Sequence, residues 1–97
     1  MMELAFHRLA AVELRVAYGW YAARDEAVAG RFLQSIDQAI ARVLADPESH
    51  PIDRKHFRCV RVRRFPYALV FEYQQSRVLI VAVAHAKRRP GYWNRRR

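Results

Sequence analysis

Two apolar runs dominate the C-terminal half of the chain. Residues 67–73 (YALVFEY) and 78–84 (VLIVAVA) have strand length and are rich in Val, Leu, Phe and Tyr. The polar tetrapeptide Gln74-Gln75-Ser76-Arg77 joins them. This spacing predicts a β-hairpin whose connection is short and polar but lacks glycine. Neither run alternates cleanly, so both faces of the hairpin are expected to be covered, as at the centre of a small sheet. Ahead of it, residues 57–64 alternate in part, with Val60 and Val62 on one side and Arg61 and Arg63 on the other. That is the pattern of a strand with one dry and one cationic face. Phe65-Pro66 breaks it and leads into the hairpin.

The N-terminal half follows a helical period. From about Arg8 to Ala23, Leu9, Val12, Val16 and Trp20 recur three and four apart, while Glu13, Arg15 and Arg24 lie off that stripe. The stripe predicts an amphipathic helix with Trp20 on its core-facing side. Asp25 is placed to cap a second helix, and Glu26 suits the positive end of its dipole. Val28, Phe32, Ile36, Ala39, Ile40 and Val43 form the apolar face of that helix, which Asp46-Pro47 stops. Gly30 within it costs about 1 kcal/mol relative to Ala, which a packed helix tolerates. Residues 2–6 read as a short edge strand, and residues 46–56, with two prolines, as a loop. The predicted fold is α+β, in the order β-α-α-β-β-β: a small antiparallel sheet packed against an N-terminal αα-hairpin.

The 97 residues, 53% of them hydrophobic, make one domain with one core, spanning 1–97. Charge changes the picture more than composition does. Residues 1–45 hold five arginines and five acids, so the net charge of +9 comes from residues 46–97, with thirteen bases against four acids. A chain basic in one half favours a nucleic-acid, ribonucleoprotein or acidic-protein partner. The single Cys59 excludes an internal disulfide and fits a reducing compartment. No apolar run approaches the roughly 20 residues that span a bilayer. Glu3, Arg8 and Glu13 interrupt any secretory leader. A cytoplasmic protein without membrane contact is expected. His50 and His56, with Asp53 between them, lack the frame of a metal site, so neither a metal nor another cofactor is expected.

Cations and aromatics bracket the hairpin. Candidate residues for binding a nucleic acid or other target are Arg58, Arg61, Arg64, Lys87, Arg88, Arg89, Tyr92 and Trp93. Arginine forks suit phosphate, and Tyr92 and Trp93 offer faces on which bases stack. His85, at the end of the last strand, is the one group here that titrates near neutral pH. Blander roles stand beside these. Arg61 and Arg63 fit a solvated strand face, Tyr67 fits the core, and His85 equally fits a histidine that finishes the hairpin. Residues 95–97 read as a mobile basic tail with nonspecific attraction for nucleic acid.

These residues, taken in order, carry a resemblance. They are Glu13-Leu14 and Trp20-Tyr21, Phe32, Pro47, Arg58, the run Arg64-Phe65-Pro66-Tyr67, the strand 78–84, and His85 with Arg88, Arg89, Pro90 and Trp93. In this the chain resembles the RelE/ParE superfamily of bacterial type II toxin–antitoxin toxins, from nearly end to end. The resemblance implies a growth-inhibiting toxin neutralised by a cognate antitoxin that is small, acidic and partly disordered. Because this chain carries no helix-turn-helix signal of its own, DNA contact is expected mainly through the antitoxin. RelE-like members cut mRNA on the ribosome, and ParE-like members poison DNA gyrase. For a cutter, His85, Arg88 and Arg64 would be the catalytic candidates. However, Ala68 stands directly after Tyr67, where such cutters tend to carry an arginine. The ParE-like side is favoured. A ribosome-dependent endonuclease, and a non-toxic member acting only in its antitoxin complex, are the alternatives.

Overall fold

The computed structural model describes residues 2–96. The order of elements is β1 (Glu3–Phe6), α1 (Arg8–Ala22), α2 (Glu26–Ala45), a 3-10 turn (Pro47–Ser49), β2 (Ile52–Arg54), β3 (Phe57–Val62), β4 (Tyr67–Gln74) and β5 (Arg77–His85). The sheet runs β1-β5-β4-β3-β2. β3, β4 and β5 form the expected antiparallel meander. The short first strand joins β5 in parallel, so the sheet is mixed rather than wholly antiparallel. The helical hairpin lies between β1 and the meander in sequence, and this crossover is what lets two parallel strands be neighbours.

Each helix boundary has a local cause. The Asp25 carboxylate accepts from the Ala27 N–H at 2.9 Å, satisfying an orphan donor of α2. His7 does the same for α1, its Nδ1 accepting from the Leu9 N–H at 3.0 Å. The β4–β5 connection is tighter than the four-residue link read from the sequence, since Gln74 pairs with Arg77 and only Gln75 and Ser76 turn. Both take left-handed backbone (φ 51° and 62°), as a type I′ connection requires, without the Asn or Gly that usually signals one. The segment read as a loop also contains β2, which pairs irregularly with β3. Three exposed residues including Asp53 and Arg54 carry too little β-pattern to reveal it.

Both faces of the sheet are covered, by different parts of the chain. The helices bury Val60, Val62, Leu69, Phe71, Val78, Ile80 and Val83 against Phe32, Ile36, Ala39 and Val43. On the opposite face Phe57, Val70, Val81, Ala82 and Ala84 pack with Trp93, brought there by residues 86–96. An irregularity in register explains the missing alternation. Phe71 pairs with Ile80 but Val70 pairs with Ala82, leaving Val81 as an extra residue in β5. Val81 and Ala82 therefore both serve the second face, and every later residue of β5 changes side.

Packing corrects the expected face of α1. The buried residues are Ala10 and Ala17, flanked by the half-buried Leu14 and Tyr21. Val12, Val16 and Trp20 are exposed, Val16 at 67% and Trp20 at 54%. Two stripes run side by side on this helix, and the small alanines let it approach the sheet and α2 closely. The larger stripe is left outside. Tyr21 nonetheless joins an aromatic cluster with Phe32, Phe65 and Tyr67, with ring centroids 5.1–5.4 Å apart.

Candidate functional site

The outward stripe of α1 borders an apolar cleft closed on its other side by the ends of β4 and β5. Two adjoining cavities share Val16, Ala17, Tyr67 and His85. One, of about 310 Å³, adds Val12, Glu13, Val83 and Arg88. The other, of about 400 Å³, adds Trp20, Tyr21 and Pro66. His85 reaches this cleft because of the extra residue in β5. Counting back from His85, the odd positions lie on the helical face only as far as the bulge, so without Val81 its side chain would lie on the Trp93 face.

His85 is held on two sides. Its Nδ1 accepts from the Lys87 backbone N–H at 3.0 Å, which places the proton of the neutral ring on Nε2. Its ring meets Tyr67 edge-on at 4.9 Å. Burial, and then the neighbouring Tyr21, push the Tyr67 hydroxyl above its usual range, so it stays protonated. Among the described residues, Glu13 is the only carboxylate lining the cleft. Burial alone would raise its pKa, but hydrogen bonds from Arg96 and the Val83 N–H outweigh this and hold it below its ordinary value. Tyr92, buried against Glu13, is pushed up by burial first and by that carboxylate second. The cleft thus offers apolar surface, one imidazole, and an acid committed as a hydrogen-bond acceptor. Cations stand at its margin. Arg88 lies over the Tyr92 ring at 3.7 Å and reaches Glu13 at 3.5 Å, and Arg24 lies over the Trp20 ring at 3.7 Å.

The residues singled out in the sequence do not form one site. His85 and Arg88 line the cleft, while Arg64 lines a separate cavity against α2. Arg58 is engaged in the fold, donating to the carbonyls of Glu48 (3.1 Å) and His50 (2.7 Å). Arg61 is exposed, and its carbonyl accepts from Arg42 at 2.6 Å. Lys87 and Arg89 are exposed in the turns after β5. Trp93 is 5% exposed, its ring given to the second core rather than offered for stacking. Arg96 is docked rather than part of a free tail, while Arg97 lies outside the described residues. His50 and His56 go to different partners, the Arg42 carbonyl and Glu72. Sequence reading missed the exposed Val12-Val16-Trp20 stripe. The alanines one step away, at 10 and 17, were the signal that a second stripe could take the core.

A two-helix hairpin is laid on a five-stranded mixed sheet, with a basic second half and an apolar cleft at the end of the central strands, which makes this a small α+β protein. The family described as "ParE toxin of type II toxin-antitoxin system, parDE" matches residues 4–90, and the chain belongs to that family. Among solved structures, a chain of the chromosomal ParDE TA system from P. aeruginosa superposes with a TM-score of 0.77 at 20% identity, covering 90% of this chain and 98% of that one. At that identity the likeness concerns the fold. No curated relative matches the sequence. No helix among the described residues is long and apolar enough to cross a membrane.

Proposed function

We propose that this toxin arrests growth by acting on DNA gyrase rather than by cutting RNA, and that a cognate antitoxin neutralises it by filling the cleft beside α1. One observation carries the first half. The groups an RNA cutter would need together are apart: His85 and Arg88 line one cavity, Arg64 lines another, and Ala68 follows Tyr67. Attack by a 2′-hydroxyl needs a base, a cation on the phosphate and an acid within reach of one another. Family membership supports the same side.

The antitoxin reading rests on the exposed apolar stripe and its cationic margin. Val12, Val16 and Trp20 form a row at helical spacing beside Tyr67, with Arg24 and Arg88 at the rim. Such a groove fits the apolar anchors of an acidic segment that folds on binding. Sequence-specific DNA reading is left to the antitoxin.

The test is induced expression in a bacterial host with primer-extension mapping of mRNA ends, beside a supercoiling assay with purified toxin and gyrase. Intact messages with blocked supercoiling are expected. New cuts at in-frame positions that vanish in His85→Ala/Arg88→Ala would replace this reading with a ribosome-dependent nuclease. Unimpaired growth with neither effect would point to a non-toxic member.

A further inference from the structure

A separate cavity, on the other helix, is lined among the described residues by side chains that all carry hydrogen-bond donors. Arg31, Gln34, Ser35 and Gln38 recur at spacings of three and four along α2 and form one wall. Arg63 and Arg64, in the turn between β3 and β4, form the other. The space is about 300 Å³, and no carboxylate of the described residues lines it. Ser35 forms its floor at 7% exposure, and the arginines stand at its mouth.

The backbone at this place is unusual. Arg64 takes the left-handed conformation, φ 71°, which glycine or asparagine fills at least cost. A strained position filled by arginine, and aimed at a cleft that already holds two more, is the kind of feature that accompanies a binding site. The field there extends beyond the cleft. The Arg42 guanidinium has its pKa lowered by burial and then by Arg63, so these cations stand close enough to oppose one another. Like charges gathered without an acid among them are relieved by an anion.

We infer that this cleft between α2 and the β3–β4 turn binds a phosphate of a nucleic-acid backbone, held by Arg31, Arg63 and Arg64 with Gln34 and Gln38 as neutral donors. Planar guanidinium forks grip phosphate oxygens in pairs, and neutral amides add donors without selecting a base. The contact is independent of sequence and gives the toxin its own hold on DNA, apart from the α1 cleft. It stands whether or not gyrase is the target.

The probe is a labelled 20-bp duplex of arbitrary sequence, titrated with the purified full chain at several salt concentrations. Arg31→Gln/Arg64→Gln should weaken binding at least tenfold at about 0.1 M salt. It should also flatten the dependence of log K on log salt by between one and two, since each lost phosphate contact removes close to one released counterion. Arg15→Gln/Arg77→Gln removes the same charge from exposed positions outside the cleft and should change affinity by less than threefold. Equal losses in the two pairs would overturn the site in favour of diffuse attraction. Arg64→Gly guards against misfolding, because glycine accepts this backbone: it should melt no lower than the parent and still bind less tightly. Unchanged binding by a folded Arg64→Gly would also overturn the proposal. Polyglutamate that binds as tightly as the duplex, with the same loss in Arg31→Gln/Arg64→Gln, would reassign the cleft to an acidic protein.

Discussion

Glu13 of α1 and Arg96 near the C-terminus form a two-pronged ion pair, at 2.9 and 2.8 Å, across 83 residues of sequence. Their side chains are 14% and 11% exposed. The pair also finishes the sheet. β1 ends opposite Ile80, whose carbonyl takes the His7 N–H, and beyond that point the edge of β5 away from β4 has no strand beside it among the described residues. Arg96 donates to the Val81 carbonyl and Glu13 accepts from the Val83 N–H, each at 2.9 Å. Two side chains thus stand in for the strand that is missing, and an unpaired edge of β5 is closed.

Removing either partner leaves the other charge buried, a loss that reaches about 3–5 kcal/mol in fully buried pairs. Because this pair keeps some contact with solvent, Glu13→Ala and Arg96→Ala are each expected to cost about 2–3 kcal/mol. Chemical denaturation of the two single variants and the double variant checks this. The double variant should lose clearly less than the two single losses added together, and strict additivity would show that the pair contributes nothing of its own.

The same contact sets an acid limit. Folding lowers the Glu13 pKa below its ordinary 4.5, so its contribution to stability is fully present above that value. As pH falls through the depressed folded-state pKa, the contribution is lost. Urea midpoints measured between pH 6 and pH 2.5 should fall below pH 4.5, and Glu13→Gln should fall less steeply over that window. A Glu13→Gln profile parallel to the parent's would refute the assignment.

The exposed stripe of α1 and the buried face of α2 should respond in opposite ways. Val16→Glu and Trp20→Glu replace exposed side chains and are expected to change stability by no more than about 0.5 kcal/mol each. Phe32→Ala, fully buried in the aromatic cluster, is expected to cost about 3–5 kcal/mol. If the antitoxin fills the cleft, the two surface variants should escape neutralisation in co-expression growth assays while melting like the parent. Full neutralisation of both would move the antitoxin elsewhere.

Cys59 should be a slow nucleophile. Burial first, and Asp53 second, push its thiol pKa up to about 11, so little thiolate exists at pH 8. Its reaction with a disulfide reagent should run well below that of a free thiol at the same pH. Asp53→Asn removes the nearby charge and should accelerate it.

Much of the architecture was legible in the chain itself. The apolar runs gave the hairpin, Asp25 and Pro47 bounded the second helix, and Val60 and Val62 marked the dry face of β3. These features depend on local periodicity and on residues that start or stop an element, which neighbouring positions carry. Which of the two α1 stripes would be buried was decided by tertiary packing, because closeness of approach favours Ala10 and Ala17 over the larger residues beside them. The extra residue at Val81, which turns His85 toward the cleft, is a property of pairing between strands and leaves no period behind it. The meeting of Glu13 with Arg96, and of Arg31 with Arg63 and Arg64, likewise belongs to the folded chain. Periodicity reports which side of an element is apolar, whereas only packing brings residues far apart in sequence to one place.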